Sequence, residues 1–328
     1  MSIVFIGTPA FALPTLGRLV ADGHRISAVI TQPDRPAGRG LQPRPSPVKR
    51  SAEELGIRVL QPATLREPEA IAAIQSLAPE VMVTVAYGQI LRRELLDLAP
   101  GGVLNIHPSL LPKYRGPTPI PAALLAGDDG TGVTIILMDA GMDSGPILAQ
   151  RGHPIEDCDT AASLSDKLSR LSADLLAETL PRWLAGEITP QAQDDRLATK
   201  TSLLRKEDGA IDWSRSAVEL WGRVRAYNPW PGAFTEAGGK LLHIWRAWPL
   251  QGDAGNTPGR VVALDAGQRQ RLPDPASATF AVQTGDGLLV PLEVQRAGRK
   301  LLSAAEFLRG APGFIGTRLE TTTRGVSS

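Results

Sequence analysis

Hydrophobic and polar positions in the first half of the chain follow two alternating periods. Short apolar runs of strand length recur at 2–7, 25–31, 81–86, 103–106, 131–138 and 147–155. Apolar residues at helical spacing lie between and after these runs, over 10–22, 51–56, 68–77, 90–98 and 160–185. This alternation predicts a Rossmann-like α/β fold, with a mostly parallel sheet and helices on both of its faces. Residues 32–47 follow neither period, and we expect a long loop there.

The pattern changes in the second half of the chain. Residues 189–205 are rich in polar side chains without an apolar period, which predicts a linker. Beyond them, a helical pattern near 216–226 is followed by short apolar runs at 233–236, 240–245, 258–264, 279–283 and 288–294, and by a short helix at 304–308. Gly238 and Gly239 separate two of these runs and mark a hairpin. Short strands of this kind predict a small β-barrel or sandwich.

Length and charge agree with two domains. The chain has 328 residues, of which 42% are hydrophobic, so two cores can be buried. We divide it into a first domain at 1–188, the linker at 189–205, a β-rich domain at 206–316 and a disordered tail at 317–328. Residues 1–199 carry 18 Lys and Arg against 22 Asp and Glu, whereas residues 200–328 carry 17 against 12. The mildly basic second half suits a polyanionic partner.

Several classes of protein are excluded by what the sequence lacks. The single cysteine, Cys158, permits no internal disulfide, and the four histidines show no metal-ligand spacing, so we expect no bound metal. No apolar run approaches the roughly 20 residues that span a bilayer, and the N-terminus lacks the basic segment of a signal peptide, which favours a cytoplasmic protein. Residues 7–12 lack the glycines of a dinucleotide-binding loop, and neither a P-loop nor a nucleophile elbow occurs.

The stretch VLNIHPSLLPKYRG at 103–116 is the richest in chemistry. Asn105 and His107 lie two residues apart at the end of a predicted strand, so their side chains point to the same side. Ligands of a parallel sheet bind at the carboxyl ends of its strands. A carboxamide can donate to a developing oxyanion and an imidazole can carry a proton, which together suit acyl transfer. The alternative is that Asn105 caps a turn and His107 is merely packed.

A second polar turn, MDAGMDSGP at 138–146, follows another predicted strand. Its glycines and proline force the chain to turn, and we expect Asp139 and Asp143 to reach the same rim as His107. A carboxylate beside an imidazole raises the pKa of the ring and fixes its orientation. The alternative is an Asx-turn, which loops of this composition form routinely.

Both motifs resemble those of the folate-dependent formyltransferases. The run N-x-H-P-S-L-L-P-x-x-x-G, the loop D-x-G-x-D-x-G-P and the 36 residues from His107 to Asp143 all fit that superfamily. Further segments resemble its members that formylate methionyl-tRNA: VFIGTP at 4–9, TQPDRPAGRG at 31–40, PSPVK at 45–49, AYGQI at 86–90, RGPTPI at 115–120, IDW at 211–213 and YNPWPG at 227–232. The resemblance extends from about residue 3 to residue 316.

The resemblance implies that a formyl group passes from 10-formyltetrahydrofolate to the amino group of methionyl initiator tRNA through a tetrahedral intermediate. Asn105 would hold the formyl oxygen as it becomes anionic, and His107 would assist proton transfer from the amine to the leaving folate nitrogen. Asp143 would set the charge and position of His107 and contact the folate. The wall of the folate site would be formed by Ser109, Leu110, Leu111 and Pro112.

The resemblance also implies where the tRNA binds. Arg35, Arg39 and Arg44 would contact its acceptor end from the glycine- and proline-rich 32–47 loop. The second domain would be a small barrel resembling an OB-fold that binds the tRNA backbone with basic side chains, namely Arg205, Lys206, Arg223, Arg225, Arg296, Arg299 and Lys300. We expect a monomer.

Three other functions are kept open. Formylation of an amino-sugar nucleotide would call for a dehydrogenase-like second domain with a dinucleotide loop, which this sequence lacks. Hydrolysis of formyl-folate would need neither the basic loop nor the basic barrel. A non-catalytic RNA-binding adaptor would have no reason to keep Asn105, His107 and Asp143 together.

Overall fold

A computed structural model describes residues 2–37, 42–252 and 257–321 of the chain. Within these ranges no helix combines the length and the apolarity needed to cross a membrane, and no three acidic, histidine or cysteine residues are grouped as a metal site requires. The chain divides into two units, one made of residues 1–119, 130–155 and 164–202, the other of 120–129, 156–163 and 203–328. The sequence-based domain boundaries remain predictions.

The first 202 residues hold nine strands and six α-helices in the described part. The strands are Ser2–Gly7 (β1), Arg25–Ile30 (β2), Arg35–Ala37 (β3), Gln42–Arg44 (β4), Val59–Leu60 (β5), Val81–Val85 (β6), Val103–His107 (β7), Gly130–Leu137 (β8) and Ile147–Pro154 (β9). The helices are Leu13–Ala21 (α1), Pro47–Glu54 (α2), Pro68–Gln75 (α3), Arg93–Leu96 (α4), Pro119–Ala126 (α5) and Ala161–Leu184 (α6).

Seven of these strands form one sheet in the order β5-β2-β1-β6-β7-β8-β9. The pairs from β5 to β7 are parallel, whereas β8 is antiparallel to both β7 and β9. Central strands such as β1 and β6 are buried almost throughout, because both faces of a parallel sheet are covered. The predicted mostly parallel α/β fold is confirmed, with β7 bordered by β6 on one side and β8 on the other.

The predicted long loop at 32–47 contains secondary structure, and that part of the prediction is wrong. β3 and β4 pair antiparallel, with Arg35 opposite Arg44. Helix α2 begins at Pro47, whose fixed φ angle suits the first turn of a helix. Ser46 is its N-cap, and the Ser46 hydroxyl accepts a hydrogen bond from the main-chain N–H of Lys49 at 3.0 Å. Each strand of this hairpin has only three residues, and the stretch is rich in proline and glycine, so no alternation of apolar and polar positions indicates a strand. Arg39 lies outside the described residues.

The second unit contains a six-stranded antiparallel sheet. Its order is β10-β11-β14-β13-β12, with β15 beside β14. Its elements after residue 203 are the helices Ala217–Ala226 (α7), Ala266–Gln270 (α8) and Ala304–Arg309 (α9), and the strands Ala233–Ala237 (β10), Lys240–Leu250 (β11), Val261–Ala263 (β12), Phe280–Gln283 (β13), Leu288–Arg296 (β14) and Leu302–Ser303 (β15). The hairpin predicted around Gly238 and Gly239 is the β10–β11 turn.

Residues 316–320 pair with both edges of this sheet. Glu320 bridges Glu236 of β10, and Arg318 bridges Arg260 beside β12. The side chain of Leu319 is buried between these contacts. Residues 317–320 were expected in a disordered tail, and the structure corrects this: their main chain joins the two edge strands in a barrel-like closure. Residues 322–328 lie outside the described part of the chain.

Three phenylalanines pack against one another in the core of the second unit, two of the three pairs edge to face. Phe280 is fully buried on β13, and its ring centroid lies 5.3 Å from that of Phe314 and 6.4 Å from that of Phe307. Because interiors are close-packed, truncating this ring leaves a cavity that its neighbours fill only in part.

We expect Phe280→Ala to destabilise the second unit by about 3–5 kcal/mol. Ile315→Ala serves as the control, because Ile315 is 42% exposed, and we expect less than about 0.5 kcal/mol for it. Urea unfolding followed by tryptophan fluorescence measures both. Equal effects of the two substitutions would contradict this description of the core.

Candidate active site

Strand β7 presents Asn105 and His107 to the same side of the sheet. Period-2 alternation places them together, and their partners on β8 are Ile136 and Thr134. Asn105 is half-buried, whereas His107 is only 4% exposed. The pair therefore lies at the carboxyl end of a strand in the middle of the sheet, as the sequence predicted.

Asp143 lies beside this pair, although the strand that precedes it, β8, does not end at the same edge of the sheet as β7. Because β8 runs antiparallel to β7, it ends at Leu137 beside Leu104, far from the carboxyl end of β7. The turn at 138–146 must therefore fold back along β7 to bring Asp143 to His107. Asp139 does not join them: its carboxylate accepts from Gly141 N–H and from the Ser144 hydroxyl, both at 2.9 Å, and so closes the turn. For Asp139 the Asx-turn alternative is correct.

The Asp143 carboxylate is held by two hydrogen bonds and lies beside the His107 ring. Its Oδ1 accepts from Asn105 Nδ2 at 3.1 Å, and its Oδ2 accepts from the main-chain N–H of Gly116 at 2.8 Å. The same Oδ2 lies 3.6 Å from His107 Nδ1, just beyond hydrogen-bond distance. Asn105 and His107 of the predicted catalytic set thus both lie against the carboxylate of the third residue, Asp143.

Each ring nitrogen of His107 faces an oxygen. Nε2 is 2.9 Å from the carbonyl oxygen of Tyr114, which can only accept, so in the neutral ring Nε2 carries the proton. Nδ1 then presents its lone pair on the side of Asp143. Burial lowers the pKa of His107, and the nearby Asp143 carboxylate and Tyr114 carbonyl oppose this only in part. Asp143 does act to raise the pKa of His107, as the sequence predicted, but the opposing effect of burial is larger.

The turn after β7 supplies main-chain groups to this cluster. Tyr114 and Gly116 have positive φ values of 62° and 110°, which direct the Tyr114 carbonyl to His107 and the Gly116 N–H to Asp143. At Gly116 a Cβ atom would lie 2.8 Å from Thr201 O, so a larger residue would displace this turn.

The predicted folate wall divides into a buried and an exposed part. Ser109 and Leu111 are buried, and their polar groups are used internally: the Ser109 hydroxyl donates to Lys113 O at 2.6 Å, and Leu111 N–H donates to Thr134 Oγ1 at 3.1 Å. Leu110 is 36% exposed, and Pro112 is half-buried. Only the last two present surface to a ligand.

Arg35 and Arg44 are exposed and lie opposite each other on the β3–β4 hairpin. The hairpin is anchored at its base, where Asp34 accepts from Lys49 Nζ and from Gln61 Nε2, both at 2.7 Å. Lys49 and Gln61 together lower the pKa of Asp34. The structure does not bring these two arginines into contact with the Asn105–His107–Asp143 cluster; it places them on a separate, anchored hairpin.

The sequence analysis did not identify the residues that hold the Asp143 loop and the turn after β7 in place. Gln193 donates to the main chain of the Asp143 loop, and Arg115, although part of a motif, is buried at 7% exposure with Asp195 as its partner. Thr134 Oγ1 donates to Ser109 O at 2.6 Å and so stabilises the turn after β7. A strand-end threonine or a glutamine in a polar stretch gives no signal that a pattern could detect.

Comparison with known proteins places both parts of the chain. The family described as formyl transferase matches residues 1–180, and that described as formyl transferase, C-terminal domain, matches residues 203–312. A methionyl-tRNA formyltransferase of Chloroflexus aurantiacus is 48% identical over 310 residues, 94% of this chain and 97% of the relative. One from Geobacter sulfurreducens is 44% identical over 319 residues, 97% of this chain and 96% of the relative.

Two solved structures that share this fold have lower sequence identity to this chain. WlaRD, a sugar 3N-formyl transferase crystallised with dTDP and 5-N-formyl-THF, is 17% identical with a TM-score of 0.64, covering 92% of this chain and 99% of its own. HypX from Aquifex aeolicus, in complex with tetrahydrofolic acid, is 18% identical with a TM-score of 0.63. That match covers 96% of this chain, which spans only 48% of HypX.

We expect the pKa of His107 to lie below the ordinary value of about 6.5, because burial disfavours the charged ring. In Asp143→Asn the pKa should fall further, since the neighbouring negative charge that partly offsets burial is gone. NMR titration of the ring signals measures both values. A wild-type pKa above 6.5, or a higher value in Asp143→Asn, would contradict this account.

Proposed function

The chain belongs to the formyl transferase family, and from this membership we infer that it transfers a formyl group to the free amino group of methionyl-tRNA. Relatives named for that activity match nearly the whole chain at 44–48% identity. We propose that the acceptor is the initiator form of methionyl-tRNA and that the donor is 10-formyltetrahydrofolate. The observation that supports the chemistry most directly is the contact of Asn105, His107 and Asp143.

His107 is proposed to accept the proton of the attacking amine. A lowered pKa keeps the ring neutral near pH 7, so it is ready to take a proton. Nε2 is engaged with Tyr114 O, which leaves Nδ1 as the accepting atom. Once Nδ1 is protonated, the Asp143 carboxylate 3.6 Å away stabilises the positive ring. The same proton can then pass to the nitrogen from which the formyl group departs.

Asn105 is proposed to stabilise the formyl oxygen. One hydrogen of its Nδ2 is engaged by Asp143 at 3.1 Å, and the other can donate to an oxygen that gains negative charge during attack. Because Asp143 holds the amide, its orientation is set before the substrate arrives. Removing one such donor in other acyl-transfer enzymes costs about 3–4 kcal/mol of transition-state stabilisation.

The folate donor is proposed to lie against the turn after β7. Leu110 and Pro112 offer it apolar surface, while Ser109 and Leu111 hold the turn from within, since their polar groups are already bonded. A flat apolar ring system suits a wall of this kind, with polar contacts supplied by the nearby Asp143. The donor would supply the formyl carbon; the residues named here only orient it.

The tRNA is proposed to contact two basic regions. Arg35 and Arg44 are exposed on one face of an anchored hairpin, and Arg39 lies between them in sequence. Within residues 206–316 of the proposed tRNA-binding domain, Arg296, Arg299 and Lys300 line one surface cavity of 540 Å³. Closely spaced guanidinium and ammonium groups suit phosphate oxygens. We also propose that the protein acts as a monomer in the cytoplasm, where charged tRNA is used.

An acceptor assay tests the function. Purified protein with radiolabelled 10-formyltetrahydrofolate is offered methionyl initiator tRNA, free methionine, or buffer alone. We expect label on the tRNA only, and we expect His107→Ala to lower kcat by at least about 100-fold, because the amine loses its proton acceptor. Formate release without labelled tRNA would indicate a hydrolase instead.

His153→Ala is the matched control for the histidine, because His153 lies on β9 outside the cluster. It should retain wild-type turnover. Circular dichroism and unfolding curves show whether each variant is folded. Near-normal turnover of a folded His107→Ala variant would refute the role assigned to that ring.

The double substitution Arg35→Ala and Arg44→Ala should raise the KM for methionyl-tRNA about 10-fold and reduce the salt dependence of binding, because two phosphate contacts are lost. The KM for the folate donor should be unchanged. Arg93→Ala is the control, since the Arg93 side chain is 85% exposed and, among the ion pairs of the described residues, pairs only with Asp97, which follows the same helix. Equal changes in both KM values would argue against a tRNA contact at the hairpin.

A further inference from the structure

Residues 191–201, which we call the strap, contact both loops of the candidate site through their main chain. Gln191 and Ile147 exchange two hydrogen bonds, of 2.7 and 2.9 Å, at the end of the Asp143 loop. Arg115 N–H donates to Thr199 O at 2.9 Å, and Thr201 N–H donates to Arg115 O at 2.8 Å. A segment expected to be a linker is thus fixed to the catalytic loops.

The side chain of Gln193 joins the two attachments of the strap. Its Nε2 donates to the main-chain oxygens of Asp143 at 2.8 Å and of Gly145 at 2.7 Å. Its Oε1 accepts from Nε and Nη2 of Arg115 at 3.1 and 2.8 Å. Both amide hydrogens and the amide oxygen are therefore used, which fixes the orientation of the carboxamide.

Arg115 is held in turn by the strap. Its guanidinium is buried, and Nη2 donates to Asp195 Oδ1 at 2.8 Å. A buried charge is costly unless it is paired and hydrogen-bonded, so this ion pair and Gln193 together keep Arg115 in place. Arg115 belongs to the same turn as Gly116, whose N–H binds the Asp143 carboxylate.

Asp143 has an unfavourable backbone that requires such support. Its φ is +50°, a left-handed conformation that non-glycine residues adopt only when the surrounding structure holds them in it. Two residues on, a Cβ at Gly145 would lie 1.9 Å from Leu137 O, so the loop packs directly on the end of β8. Gln193 bonds the carbonyl oxygens of both residues, at the point where the chain turns.

We propose that Gln193, oriented by Arg115, is a positioning residue for formyl transfer: it fixes the main chain of the Asp143 loop so that the carboxylate stays beside His107 and Asn105. The proposal rests on the proposed function. Gln193 itself touches neither His107 nor Asn105 in any hydrogen bond of the described residues, so it acts through Asp143 alone.

A double-mutant cycle tests this inference. Gln193→Ala should lower kcat by about 10- to 100-fold, because small displacements of a catalytic group are costly, while both KM values stay within about twofold. In the Asp143→Ala background the same substitution should change kcat by less than about twofold, because the carboxylate that Gln193 positions is absent. Gln193→Glu keeps the size of the side chain but loses both donors, and it should behave like Gln193→Ala.

Gln191→Ala is the matched control, because the Gln191 side chain is exposed and its contacts to Ile147 are made by the main chain. It should retain wild-type kcat. Wild-type kcat in Gln193→Ala, or independent losses that multiply in the double variant, would overturn the proposal; if Gln193→Ala fails to fold, Gln193→Glu takes its place in the cycle. Failure of the wild-type protein to label methionyl-tRNA would instead refute the proposed function, before any variant is compared.

Discussion

The candidate site depends on the burial of one imidazole between two acceptors. A neutral ring donates one proton, so His107 can satisfy either Tyr114 O or the Asp143 carboxylate, but not both at once. Protonation would direct an N–H toward each oxygen, yet burial opposes the charge and lowers the pKa of His107. The ring is therefore neutral at rest and is surrounded by groups that stabilise it once it takes a proton, which is the property that a proton acceptor in amine attack requires.

This arrangement works only if the carboxylate is itself fixed, and hydrogen bonds from three neighbouring groups fix the Asp143 residue. A side-chain amide and a main-chain N–H hold the two oxygens of Asp143, and the strap holds its carbonyl. The turn after β7 contributes twice, through Tyr114 O and Gly116 N–H. Main-chain groups dominate because they are rigid and lose little side-chain entropy when they orient a charge.

The features that could be predicted from the sequence are those that depend on residues close together in the chain. The alternation of Asn105 and His107, the parallel sheet and the β10–β11 hairpin follow from local patterns, and the structure agrees with them. The antiparallel direction of β8 could not be predicted from the sequence, because the direction of a strand depends on pairing with strands that are distant in the chain. The contact of Gln193 with the Asp143 loop could not be predicted for a related reason. A polar stretch without a period is typical of a linker, and only tertiary contacts show that it is tied to Asp143.

The acceptor is not decided by the fold. WlaRD, named as a sugar formyl transferase, shares this fold at 17% identity, and a shared fold does not specify the acceptor. The evidence for methionyl-tRNA is instead the 44–48% identity that extends through the second half of the chain. A macromolecular acceptor has to be recognised by surfaces remote from the reacting atoms. On our proposal, the Arg35–Arg44 hairpin and the basic cavity at Arg296, Arg299 and Lys300 select the acceptor, while His107 and Asp143 carry out chemistry that does not depend on which amine is bound.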